Sequence, residues 1–117
     1  MILNKEENNN SKKFLESVDA GSISEITVDK EIFVAIHQNE TNVLQNFNKL
    51  VSKEFIQFHF CLKGSCELVF NEGSYKLSLS KGKSLLLYNP QRTLPINLLN
   101  NTNSTVITLL ISIKKFH

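Results

Sequence analysis

The most regular pattern of hydrophobic and polar positions in this chain lies at residues 55–64. Three phenylalanines fall within six residues, and bulky side chains occupy both alternating faces of the segment. This pattern favours a pleated, buried strand over a helix. Because both faces carry bulky groups, we expect a central strand of a sandwich or barrel, with both of its faces covered. Gly64 and Ser65 then indicate a turn.

Short apolar runs separated by turn residues recur along the rest of the chain. They predict strands at residues 23–28, 31–38, 66–70, 75–79, 84–89, 96–99 and 105–113. The last of these is long and β-branched, with Ile107, Leu109, Ile111 and Ile113 on one face. Strands that recur every eight to twelve residues or so, with turn signals between them, are typical of an all-β sandwich or barrel.

One segment, residues 41–53, is predicted to form a short helix. Its apolar residues recur at helical spacing and form a single stripe. These residues are Val43, Leu44, Phe47, Leu50 and Val51. Thr41 is a residue type that caps helix N-termini. The alternative for this segment is an irregular crossover with a single helical turn.

The two ends of the chain differ in character. Residues 1–13 are rich in Lys, Glu and Asn, so we expect a flexible N-terminus there. Residues 14–18 are weakly helical, and residues 14–117 are expected to form a single domain. Residues 114–117 follow the last predicted strand directly. We therefore expect this sequence to be one module of a longer protein.

Composition narrows the function class. The 117-residue chain is 41% hydrophobic with a net charge of +2, which is too small to indicate a nucleic-acid surface by itself. No stretch approaches the length of a membrane span, and the N-terminus lacks the apolar core of a secretory signal. A cytoplasmic location is expected, in which Cys61 and Cys66 stay reduced.

Several segments, in order along the chain, resemble the N-terminal sensor domain of AraC-type transcription regulators, especially the variety common in Bacteroidetes and flavobacteria. They are residues 55–64, 79–82, 84–90, 94–98 and 110–117, and the likeness extends over roughly residues 23–117. The resemblance implies an all-β, cupin-like double-stranded β-helix, or jelly-roll barrel, that senses a small molecule or mediates dimerisation. Such regulators bind DNA through a C-terminal pair of helix-turn-helix motifs, and this sequence contains none. We expect the regulatory half without its DNA-reading half.

The same resemblance bears on metal binding. Metal-binding cupins use a pair of His residues, a Glu and a third His, since several such donors must converge on a transition metal. Gln57 falls where the Glu would be, the paired His would fall near Val51 and Lys53, and Thr93 takes the place of the third His. We therefore expect no metal and no other cofactor.

Three interior positions are candidate ligand contacts. Gln57 and His59 share the parity that, by the resemblance, faces the barrel interior, and His37 lies on a strand that could face the same space. For each histidine the simpler interpretation is a buried neutral ring that is hydrogen-bonded to a neighbour. Cys61 shares the same parity and is most simply a small buried thiol.

Two further candidates flank the turn after residue 88. The guanidinium fork of Arg92 could hold an anionic group at the mouth of the second cupin motif, with Tyr88 beside it. The simpler alternative is a surface arginine next to a packed tyrosine.

No Ser-His-Asp order, phosphate-binding glycine loop or paired acid motif stands out, so catalysis is not expected. We expect an effector-sensing or dimerisation domain that forms a homodimer, reaches DNA only through a C-terminal domain and does not contact membranes. One alternative is a stand-alone cupin with metal-dependent or small-molecule-binding activity, in which His37 and His59 converge. Another is a purely structural dimer module, in which a partner chain covers the apolar faces of residues 56–62 and 105–113.

Overall fold

The computed structural model describes residues 21–116, which fold almost entirely into antiparallel strands. The strands are β1 (Gly21–Asp29), β2 (Ile32–Asn39), β3 (Gln45–Lys49), β4 (Phe55–Lys63), β5 (Ser65–Phe70), β6 (Tyr75–Ser80), β7 (Ser84–Leu87), β8 (Ile96–Asn100) and β9 (Ser104–Ser112). Two short 3₁₀ helices follow β5 and β9, at Asn71–Gly73 and Ile113–Phe116. The predictions for residues 1–13 and 14–18 lie outside the described residues.

The strands form two sheets that pack face to face. The first has the order β1-β2-β9-β4-β7 and the second the order β3-β8-β5-β6. The predicted all-β class is confirmed, and so is the central position of β4, which lies between β9 and β7. Each of the other seven predicted strands is also present, with ends shifted by a few residues.

The predicted helix over residues 41–53 is wrong. Its centre is β3, in which Phe47 pairs with Leu98 of β8 and packs against the core. A helical stripe would bury Leu44 and Leu50 beside Phe47, but these two side chains are 51% and 87% exposed. The apolar spacing fits a helix only when the segment is considered alone. Pairing with a strand about fifty residues away overrides that local preference.

The core lies between the two sheets. Its buried hydrophobic members are Val51, Cys61, Cys66, Leu68, Leu79, Ile96, Leu98, Val106 and Leu110. Complete burial of a side chain such as Leu68 or Leu98 contributes roughly 1.5–3 kcal/mol. The inner face of the first sheet differs from the rest of this core, because several of its buried side chains are polar.

The outer face of the first sheet is not covered within the chain. Phe58 and Leu62 of β4 point outward and are 36% and 49% exposed. The expectation that both faces of this strand are covered therefore holds only for the inner face. Among residues 21–116, no helix is long and apolar enough to cross a membrane.

Candidate functional site

Four polar side chains lie in contact on the inner face of the first sheet, and we call them the polar ladder: Gln57, His59, Thr108 and His37. Strand register explains the grouping, because His59 of β4 pairs with Thr108 of β9, and Gln57 precedes His59 by two residues on the same face. His37 belongs to β2, on the other side of β9. All four side chains are at most 2% exposed.

Each neighbouring pair in the ladder is hydrogen-bonded. Gln57 Oε1 is 2.9 Å from Nε2 of His59, and Nδ1 of the same ring is 2.9 Å from Oγ1 of Thr108. That hydroxyl oxygen is in turn 3.2 Å from Nε2 of His37. At its other end the ladder reaches the backbone, since Gln57 Nε2 donates to the carbonyl of Leu94.

The Leu94 carbonyl sets the direction of every bond in the ladder. A carbonyl only accepts, so the Gln57 amide must turn its nitrogen toward Leu94 and its oxygen toward His59. His59 then carries its proton on Nε2, and its Nδ1 accepts the Thr108 hydroxyl. The Thr108 oxygen is left to accept from Nε2 of His37. Both rings are therefore neutral Nε2–H tautomers, and Nδ1 of His37 is an acceptor.

The electrostatic surroundings favour neutral rings. Burial lowers the pKa of His59 to about 4. Burial, followed by repulsion from His59, lowers the pKa of His37 to about 4 as well. Removal from water penalises a charged imidazole, and no acidic residue among those described is buried with the ladder to offset this cost. Near neutral pH the ladder carries no charge.

The His37 end of the ladder borders a small cavity. Nδ1 of His37 and Oδ1 of Asn100 are buried and have no hydrogen-bond partner among the described residues. Both side chains line a cavity of about 20 Å³, together with Phe47, whose ring centroid is 4.5 Å from that of His37. A space of this size holds about one water molecule.

A much larger cleft of about 880 Å³ opens at the other end of the ladder. It is lined by residues 48–50, 69–72, 75, 77, 87, 89 and 92–97. Apolar walls alternate with Asn side chains, and the ionic groups at its edge belong to Lys49, Glu72 and Arg92. The Lys49 ammonium lies 4.4 Å from the centre of the Phe33 ring, a cation–π contact.

The structure thus separates the predicted site residues into two groups. Gln57, His59 and His37 belong to the buried ladder, whereas Arg92 lines the open cleft. Tyr88 is 38% exposed and is not among the described residues that line the cleft. A contact between any of these residues and a ligand stays a prediction.

Two parts of the site were missed from sequence. Thr108 occupies an inward position of β9, a strand whose sequence stands out by the isoleucines and leucines of its other face. The carbonyl of Leu94 carries no side-chain signal at all. The polar residue within the apolar run 105–113 was the one signal that could have pointed to Thr108.

The interior does not match a cupin metal centre. Both ring nitrogens of His59 are already hydrogen-bonded, and an amide stands where a carboxylate ligand would be. Across residues 21–116, no group of three or more His, Cys, Asp or Glu side chains could hold a metal ion. The residues present therefore do not fit a metal ion.

The two cysteines are both free and buried. Burial raises the pKa of the Cys66 thiol to about 12 and also raises the pKa of Cys61. The Sγ atom of Cys61 lies 3.5 Å from the carbonyl oxygens of Lys63 and Gly64. Protonated thiols in such surroundings are packing groups and not nucleophiles.

Solved structures of cupin proteins are similar to this fold. A cupin superfamily protein from Desulfitobacterium hafniense DCB-2 superposes with a TM-score of 0.60 at 6% identity, over 80% of this chain and 79% of that one. An RmlC-like cupin from Desulfovibrio desulfuricans gives 0.59 at 14% identity, over 78% and 81%. KdgF from Halomonas sp. gives 0.55 at 15% identity, over 80% and 79%.

These likenesses establish the fold and nothing more specific. The chain has the two-sheet cupin architecture, and the predicted fold class is confirmed. No protein-family model matches the sequence, and a comparison with curated protein sequences finds no match.

Proposed function

We propose that this protein is a non-catalytic effector-binding domain of the kind found in AraC-type transcription regulators, and that its effector is a small organic acid bound in the cleft. The observation that carries the proposal is the cleft itself. It is separate from the buried polar ladder and is lined by groups suited to binding. The order of turns and apolar runs that resembles AraC-type sensor domains supports the regulatory assignment.

The size and lining of the cleft support a small-molecule ligand. Its volume of about 880 Å³ is near the upper end for ligand pockets, which run from about 300 to 1,000 Å³. Phe70 and Tyr75 supply aromatic surface, with ring centroids 6.1 Å apart, and Leu77 and Leu87 extend the apolar wall. A ligand with an apolar body would bury that body here.

The charges at the cleft edge support an anionic group on the ligand. Arg92 and Lys49 are cationic and Glu72 is anionic, so the cleft carries a small positive excess. The planar fork of Arg92 can donate two parallel hydrogen bonds to a carboxylate. Charge-assisted bonds of this kind contribute about 1.5–3 kcal/mol.

The state of the histidines supports a non-catalytic role. The nitrogens of His59 are occupied by Gln57 and Thr108, and the ring is fully buried, so no substrate in the cleft can reach it. A general base must lie within hydrogen-bonding reach of the proton it takes. The ladder meets the cleft only through the backbone of Leu94.

Binding is tested by titrating ¹⁵N-labelled protein with octanoate, and separately with 1-octanol, which has the same chain length and no charge. We expect amide shifts within residues 69–77 and 87–97 for both. Arg92→Gln should weaken octanoate binding about tenfold, corresponding to about 1.4 kcal/mol, and leave octanol binding unchanged. Lys81→Gln, an exposed change in the turn between β6 and β7, is the matched control. Equal weakening of both ligands, or no shifts in the cleft, would contradict the proposal.

The regulatory assignment has its own tests. The reading frame that encodes this chain should continue into two helix-turn-helix motifs. Metal analysis of the purified protein should find no stoichiometric Fe, Mn, Ni or Zn. A stoichiometric metal would favour the metal-dependent alternative and count against a purely binding role.

A further inference from the structure

One row of apolar side chains crosses the whole outer face of the first sheet. It takes one residue from each strand, in sheet order: Ile26, Val34, Leu109, Phe58 and Leu86. Strand register places these five directly beside one another. Ile26, Phe58 and Leu86 are 39%, 36% and 63% exposed, so the row is open to solvent along much of its length.

The rows on either side have the same character. One consists of Ser24, Ile36, Ile107, Phe60 and Ser84, and the other of Asp29, Ile32, Ile111 and Ile56. The three rows together are the outer sheet face. Among its fourteen positions the one charged residue is Asp29, at the β1 edge, where its carboxylate lies 3.1 Å from the Lys115 ammonium, whereas charged residues make up 21% of the whole chain. A connected apolar surface with so little charge marks an interaction site.

We propose that the outer sheet face binds the same face of a second copy of this chain. This inference specifies the dimerisation that accompanies the proposed sensor function. The outer sheet face lies on the opposite side of the first sheet from the polar ladder and does not include the cleft.

The area of the face is appropriate for a dimer. Five strands spaced about 4.8 Å apart span about 19 Å, and the nine residues of β9 extend about 27 Å. The face therefore covers about 500 Å² in projection, before the relief of the side chains and a surrounding rim are counted. A stable interface buries about 800 Å² per partner. Two such sheets pack about 10 Å apart with their strands roughly aligned.

Symmetry favours a second copy over an unrelated partner. A two-fold interface brings a patch against itself, so a buried charge on it needs an opposite charge at the two-fold-related position of the same patch. Among the positions of the outer sheet face only Asp29 at the β1 edge is charged, and its carboxylate already has a partner in Lys115, so nearly all of the face meets no such requirement. β9 is the middle strand of the five, and Leu109 is the middle residue of the row. A two-fold axis near Leu109 gives the largest overlap and places the two Leu109 side chains together.

The proposal is tested by sedimentation velocity over protein concentrations of about 1 to 100 μM, the range that detects micromolar dissociation constants. The wild-type chain should sediment as a dimer in the upper part of this range. Leu109→Lys alone and Leu109→Glu alone should each be monomeric, with dissociation constants raised at least a hundredfold. An equimolar mixture of the two should form a heterodimer, because opposite charges then meet at the axis.

The mixture also shows that the two variants are folded, since unfolded chains would not recover association. Phe58→Lys is a second disrupting variant on the same row. Val43→Lys replaces a side chain that is 58% exposed and lies outside the face, and it should leave the dimer intact. A wild-type chain that stays monomeric at every concentration would overturn the proposal, as would a Leu109→Lys chain that still dimerises. Coverage of the face by residues 1–20, or by a different protein, would produce that monomeric result.

Failure of this proposal is distinguishable from failure of the proposed function. The octanoate titration can be repeated on monomeric Leu109→Lys protein, which retains the whole cleft. Retained binding in a monomer would leave the effector-binding proposal standing without the dimer. An intact wild-type dimer that does not bind octanoate would contradict the effector-binding proposal and leave the dimer proposal standing.

Discussion

The hydroxyl of Thr108 lies 2.9 Å from Nδ1 of His59, at a point in the protein interior from which water is excluded. The same oxygen accepts a hydrogen bond from His37. Thr108→Val keeps the shape of the side chain and removes both bonds. Each buried polar group left without a partner costs about 1–3 kcal/mol. We expect the free energy of unfolding to fall by about 2–5 kcal/mol in urea denaturation.

Thr105→Val provides the control for this change. It is the same substitution on the same strand, but Thr105 belongs to the alternate, outward parity and is only half-buried. Its effect should stay within about 0.5 kcal/mol, as is usual for surface positions. If the two variants were equally stable, the hydrogen bonds of the Thr108 hydroxyl would not contribute to the free energy of unfolding.

The two buried histidines predict how stability depends on pH. Each has a pKa of about 4 in the folded protein, below its ordinary value of 6.5. Between these values the unfolded chain binds more protons, so the free energy of unfolding rises with pH and levels off above about 6.5. Each ring contributes a slope of up to about 1.4 kcal/mol per pH unit. The measurement is a series of urea titrations between about pH 4.5 and 7.5.

His37→Gln separates the contribution of one ring. The glutamine amide can still donate to Thr108, but it does not titrate. We expect the slope attributable to the two histidines to fall by about half. Asp29 does not interfere, because the backbone amide of Glu31, and then Lys115, hold the pKa of its carboxyl below the ordinary 3.8, under the range measured. An unchanged slope in His37→Gln would show that this ring is not buried in the neutral form.

The sequence predicted the strands well because their ends carry local chemical signals. Turn residues at Asp29–Lys30, at 71–74 and at 80–83 separate runs whose alternation is itself local. Segment 41–53 failed because its true partner is β8, a strand that lies far away in sequence and leaves no mark on the segment itself. Non-local pairing is the information that a periodic pattern cannot supply.

The same distinction between local signals and non-local pairing applies to the residues of the site. That Gln57 and His59 share a face follows from alternation along one strand; that this face is the interior was expected from the resemblance, and both side chains are buried. The contact with Thr108 depends on the register between two strands about fifty residues apart. The position of the Leu94 carbonyl beside Gln57 depends on the path of the loop that precedes β8. The sequence therefore identified which side chains are interior but not the bonds that hold them.

The donor-to-acceptor direction of the hydrogen bonds in the polar ladder predicts the tautomers of His59 and His37. Because the Leu94 carbonyl can only accept, both His59 and His37 should be protonated on Nε2 and unprotonated on Nδ1 near neutral pH. Long-range ¹H–¹⁵N correlation spectra of the imidazole rings distinguish the two nitrogens directly. A proton on Nδ1 of His59 would mean that the Gln57 amide is turned the other way and that Leu94 does not hold it.

The turn between β4 and β5 depends on a residue without a side chain. Gly64 has a φ of +73°, a left-handed conformation that costs a residue with a Cβ about 1–2 kcal/mol. A Cβ there would also lie 2.8 Å from the carbonyl oxygen of Asn103 and would overlap the hydroxyl of Ser104. That hydroxyl accepts from the backbone amide of Ser65 at 2.9 Å, so it cannot move away freely.

Gly64→Ala and Gly82→Ala therefore form a matched pair. Gly82 has a φ of +86°, but a Cβ at this position meets no atom within 4 Å. Gly82→Ala should lose only the conformational cost of about 1–2 kcal/mol. Gly64→Ala should lose that amount plus the cost of displacing β9 at Ser104, for a total of about 3 kcal/mol or more. Thermal unfolding followed by circular dichroism should rank wild type, Gly82→Ala and Gly64→Ala in descending order of melting temperature. Equal melting temperatures for the two variants would show that the chain at Ser104 yields without cost, and that the close approach of the two sheets at this corner contributes little to stability.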